Sequence, residues 1–73
     1  MQTEELAVRG DYIQLDQLLK VLGWCESGGA AHAAIAEGRV TVDGEMETRK
    51  RAKLRPGQCV AFAAQQVQLV AGG

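Results

Sequence analysis

Leu15, Leu18, Leu19 and Leu22 recur at spacings of three and four, which places them on one helical face, and Gly23 supplies a stop behind them. The spacing predicts a helix over 15–23. A second helix is predicted over 28–37. Ser27 is its cap, with a hydroxyl that can accept a bond from a free first-turn amide, and Gly38 stands where a left-handed stop is needed. Its buried face reads Ala31, Ala34 and Ile35. Side chains that thin let the helix approach its neighbours closely.

At Val40-Thr41-Val42 the period drops to two, which predicts a strand within 39–43, and Asp43-Gly44 is a turn pair that tolerates positive φ. The pattern then weakens, with Met46 and Leu54 as the expected inward anchors. Arg55-Pro56-Gly57-Gln58 is a turn, with Pro setting φ at the second position and Gly relieving the third. Strands follow over 59–62 and 66–70, joined by Ala63-Ala64-Gln65, with Val67 and Leu69 facing in and Gln66 and Gln68 facing out. Upstream, Leu6-Ala7-Val8 is a candidate strand, and Arg9-Gly10-Asp11 reads as its turn. Tyr12 and Ile13 lead into the first helix, whose wet side carries Asp16, Gln17 and Lys20. Ala71-Gly72-Gly73 is expected to fray. The fold class is α+β, two short packed helices against a small, mainly antiparallel sheet.

A length of 73 residues allows one domain, spanning 1–73, with a single modest core. With one Trp, one Tyr and one Phe, that core must come from Leu, Val, Ile and Ala. Eight basic residues against nine acidic ones give a net charge of -1, which by itself argues against a strongly basic nucleic-acid binder. The distribution changes that picture. Residues 1–16 carry a net charge of -3, whereas 39–55 carry +3 through Arg39, Arg49, Lys50, Arg51, Lys53 and Arg55 against Asp43, Glu45 and Glu47. Five of those positive charges fall within seven residues, 49–55.

Catalysis finds little support. His32 is the sole histidine and sits among alanines on the less buried side of the second helix, Ser27 is engaged as a cap, and no acid–base pair, nucleophile with its base, or metal-ligand spacing is visible. Catalytic residues, cofactors and metals are therefore all expected to be none. Cys59 is read as core filler and Cys25 as the more exposed thiol, both reduced in a cytoplasmic protein without a membrane span or a secretory leader. The glycines form no nucleotide-binding fingerprint, although the amides opening the second helix at Ser27 and Gly28 can meet one phosphate.

The run Leu15-Asp16-Gln17-Leu18-Leu19, followed by Gly23, Ser27, Ala31, Ile35, Gly38, Val40, Val42, Asp43-Gly44, Leu54 and Pro56-Gly57, resembles the RNA-binding domain named after ribosomal protein S-four, the alpha-L motif. Ile35-Ala36-Glu37-Gly38 and Glu47-Thr48-Arg49-Lys50-Arg51 bring it near the stand-alone, YbcJ-like bacterial branch. The resemblance covers about residues 12–62. It implies a helix pair and a following hairpin that grip structured RNA mainly through its backbone, with Arg49 at a commonly basic hairpin position and Ser27 opening the second helix. Two positions depart from the pattern. Gln14 stands where the family commonly has Arg, and Gly28 where it commonly has a basic residue, so charge is missing from the expected face.

These readings converge on a non-catalytic, monomeric protein that recognises structured or double-stranded RNA through phosphates and shape, with ribosomal or transfer RNA as candidates. Arg39, Arg49, Lys50, Arg51, Lys53, Arg55, Ser27 and Gly28 are its expected contacts. The sequence shows no aromatic residue obviously placed to stack single-stranded bases. The alternative is a small protein adaptor whose basic loop meets an acidic partner.

Overall fold

Seven strands and two helices follow one another in the computed structural model, which describes residues 2–72: β1 (Gln2–Val8), β2 (Ile13–Gln14), α1 (Leu15–Val21), α2 (Gly28–Ala36), β3 (Val40–Val42), β4 (Glu45–Met46), β5 (Lys53–Leu54), β6 (Cys59–Phe62) and β7 (Gln65–Ala71). Both helices appear where the apolar spacing predicts them. Leu15, Leu18 and Leu19 of α1 and Ala31, Ala34 and Ile35 of α2 are buried against one another and the sheet. Gly23 and Gly38 take φ of 75° and 74°, the left-handed stops that let the chain leave each helix. Trp24, in the junction, covers one end of the core and lies 6.3 Å from the Phe62 ring.

The main sheet has the order β1-β7-β6-β3-β4. Its β3–β4 hairpin turns through Asp43 and Gly44 at φ of 53° and 85°, positive at both central positions as a two-residue hairpin requires. The antiparallel ladders β3–β6 and β6–β7 are joined by β1, which runs parallel to β7 from Gln2 opposite Gln65 to Val8 opposite Ala71. Pairing of the first strand with the last is a long-range event that no local pattern announces. It also corrects the expected fraying. Ala71 closes the ladder and the Gly72 N–H donates to the Val8 carbonyl at 3.0 Å, while Gly73 lies outside the described residues. The β6–β7 connection is shorter than expected, because Gln65 already pairs with Phe62.

Three side-chain assignments reverse, those of Met46 and the two cysteines. Met46 is 66% exposed because β4 is a two-residue edge strand with no layer over it, and its sulfur instead lies across Gly38, where any Cβ would collide with it. Leu54 is the true anchor, 2% exposed. The thiols exchange roles as well. Cys25 is buried because its N–H and that of Trp24 both donate to the Leu19 carbonyl, folding the junction back over α1, while Cys59 is half-buried at the start of β6. Both are free, and burial pushes the Cys25 thiol up despite the opposing charge of Arg39. Iodoacetamide at pH 8 should therefore alkylate Cys59 well before Cys25. Equal rates in a peptide-mass time course would place Cys25 at the surface.

Candidate nucleic-acid interface

A second, two-stranded ribbon builds the site. Ile13 pairs with Leu54 and Gln14 with Lys53, antiparallel, directly before α1. The pleat turns Ile13 and Leu54 inward and leaves Lys53 exposed outside. Gln14 is also the N-cap of α1, but its side chain makes no capping bond. The first-turn amides find main-chain partners instead. Leu15 N–H donates to the Ala52 carbonyl and Asp16 N–H to the Lys50 carbonyl, each at 3.0 Å. The basic segment is thus pinned across the start of α1, because the helix would otherwise leave those donors without protein partners.

Within that segment, Arg49, Arg51 and Lys53 line a shallow depression of about 400 Å³ around buried Ala52. Glu47 positions Arg49. Its carboxylate accepts from Arg49 Nε at 3.0 Å, from Nη2 at 3.2 Å and from the backbone N–H at 3.1 Å. The fork leaves the Arg49 side chain 80% exposed and Glu47 only 19% exposed, so the cation faces solvent over its counter-ion. Those bonds hold the Glu47 carboxyl below its ordinary range and raise Arg49 further. Lys53 Nζ lies 5.0 Å from the centre of the Tyr12 ring.

The remaining expected contacts lie outside that depression. Arg39 lies over Phe62 at 5.4 Å and reaches Glu37 at 3.7 Å. It nevertheless precedes Val40, whose carbonyl accepts the Glu47 N–H, so its strand adjoins the hairpin that holds Arg49. Arg55 is exposed in the turn, its N–H bonded to Gln58 Oε1. Lys50 is exposed above its pinned carbonyl. Ser27 Oγ accepts from Ala30 N–H at 3.1 Å, and Gly28 opens α2, as the cap pattern predicts.

Sequence reasoning missed two features. Tyr12 is 39% exposed, and its alternation with Ile13 was the available signal. Asp16 is not simply wet. Its Oδ2 meets His32 Nε2 at 2.9 Å across the two helices, and its Oδ1 accepts the Gln17 N–H. Partial burial alone would push this carboxyl up, but the bonds from His32 and Gln17 outweigh it and the carboxyl is lowered. A folded-state carboxyl held below its unfolded value adds stability that is present above the unfolded value and fades as pH falls through the folded one. Asp16→Asn should therefore cost about 1 kcal/mol at pH 7, with the gap from wild type closing on the acid side. A gap constant from pH 7 to pH 2 in urea melts would exclude the charge as its source.

Comparison with known proteins follows the same outline. The model of the S4 domain family matches residues 6–70, reaching beyond the helices into β1 and β7. This chain belongs to that family. YbcJ of Escherichia coli (strain K12) and YbcJ of Shigella flexneri are each 57% identical to it over 60 residues, which is 82% of this chain and 86% of theirs. A solution structure of the E. coli protein, described as revealing an alpha-L motif involved in RNA binding, superimposes with a TM-score of 0.68 at 52% identity, covering 94% of this chain and 86% of that one. The two-helix unit against a mixed, mainly antiparallel sheet is the family's fold.

Proposed function

We propose that the protein is a non-catalytic RNA-binding module that takes structured or double-stranded RNA through phosphates and shape. One observation carries this reading. Arg49, Arg51 and Lys53 surround a single depression on a segment that α1 holds by its first-turn amides, so the cations are arrayed before any ligand arrives. Arginine forks suit phosphate oxygens, and a backbone pinned at Lys50 and Ala52 lowers the ordering cost of contact. The RNA-binding motif described for the solved relative supports the same assignment. Folded ribosomal or transfer RNA presents suitable duplex surface, and a monomer suffices to engage it. Gln14 and Gly28 bring no charge, so affinity rests on the 49–55 segment, with Arg39 as an outlying cation.

Crosslinking in cells, with parallel identification of bound RNA and bound protein, tests the proposal. Enrichment of structured RNA over an Arg49→Ala/Arg51→Ala control is the expected result. Recovery of an acidic protein partner, with no RNA above that control, would replace it with the adaptor.

A further inference from the structure

We infer that the outer face of the β2–β5 ribbon holds one unpaired nucleobase, stacked on Tyr12 beside the phosphate-binding depression, so that the preferred RNA is a duplex interrupted by a bulged or loop nucleotide. The inference rests on the RNA-binding reading and deepens it. Three observations combine here. Among the described residues Tyr12 is the one exposed aromatic ring, and Lys53 Nζ sits over it at 5.0 Å. Lys53 also lines the depression with Arg49 and Arg51, so the ring lies at the rim of the cationic site. The Gln14–Lys53 and Ile13–Leu54 register, extended by one residue, brings Arg55 opposite Tyr12, which puts Tyr12, Gln14, Lys53 and Arg55 on one side of the ribbon.

The chemistry suits a nucleotide better than a bare anion. A base has a π-face for Tyr12 and a polar edge for the Gln14 amide, which both donates and accepts, while its phosphate takes Lys53 off the ring. A lysine ammonium over a ring at a wet site is weakly held, so exchanging the ring for a phosphate costs little. Tyr12 also lines a groove of about 510 Å³ with Leu6, Arg9, Ile13, Gln17 and Val21, which gives a flipped base room that a flat surface lacks. A fully paired duplex keeps its bases in the stack and offers Tyr12 nothing. Discrimination therefore comes from an extruded base, whatever its neighbours.

The test uses two hairpin RNAs of equal charge density, one fully paired and one with a single bulged 2-aminopurine. Wild type should bind the bulged RNA roughly tenfold tighter, with the 2-aminopurine emission quenched on saturation. Tyr12→Phe should keep both properties. Tyr12→Leu should reduce binding of the bulged RNA to that of the paired one, leave the paired RNA unaffected, and leave Trp24 emission and the circular dichroism spectrum unchanged. Equal affinity of wild type for both RNAs, an unquenched 2-aminopurine, or a Tyr12→Leu loss shared by both RNAs would overturn the stacking site while leaving backbone binding intact. If wild type bound neither RNA saturably, the RNA-binding proposal itself would fail, and the base site with it.

Discussion

Arg49→Ala combined with Arg51→Ala should lower affinity for a duplex RNA by about ten- to a hundredfold, and by similar factors for duplexes of different sequence, because backbone contacts position without reading bases. The log–log salt dependence should flatten by roughly 0.7 to 0.9 for each phosphate that is no longer neutralised. The two arginines are not equivalent. Removing Arg51 deletes a cation, whereas removing Arg49 also takes both guanidinium bonds from the Glu47 carboxylate and leaves it only the backbone N–H of residue 49. A carboxylate without its guanidinium, next to a phosphate-binding depression, repels the ligand, so Arg49→Ala should be the more damaging single change. Adding Glu47→Gln to Arg49→Ala should then recover part of the loss. Filter binding across a salt series reads all four variants. Equal losses for the two single variants, with no recovery from Glu47→Gln, would mean that Glu47 only shapes the loop.

Leu54→Ala should destabilise the fold by about 2 to 5 kcal/mol, a large share of the roughly 5 to 15 kcal/mol that holds a domain together. The β2–β5 ribbon has only two residue pairs, Ile13–Leu54 and Gln14–Lys53, too short to stand on its own hydrogen bonds. What fastens it is Leu54, 2% exposed, with Ile13 packed against the core beside it. Truncation leaves a cavity beneath the strand that carries Lys53. RNA affinity should therefore fall in Leu54→Ala under conditions where the protein remains folded, although no charge has been removed. Urea denaturation and RNA titration on the same sample check both parts. An unshifted midpoint would mean that the ribbon sits on the surface.

Local chemistry made much of the fold legible. Helix faces followed from leucine and alanine spacing, chain reversals from Gly23, Gly38 and Asp43-Gly44, and β3 and β7 from their two-residue period. Each is a signal carried by neighbours in sequence, where steric and capping rules act. The density of cations over 49–55 was legible for the same reason, and so was the resemblance that family membership bears out.

Tertiary structure decided the rest. Which strand lies beside β7, that Met46 is wet and Cys25 dry, that Asp16 meets His32, and that Tyr12 stands under Lys53 all depend on segments distant in sequence. Such pairings arise only after loop closure and side-chain packing select one arrangement, and composition or period carries no record of them. The basic segment shows the division clearly. Its charge is written in the sequence, but its placement comes from two amides at the start of α1 that lack a capping side chain and take the carbonyls of Lys50 and Ala52 instead.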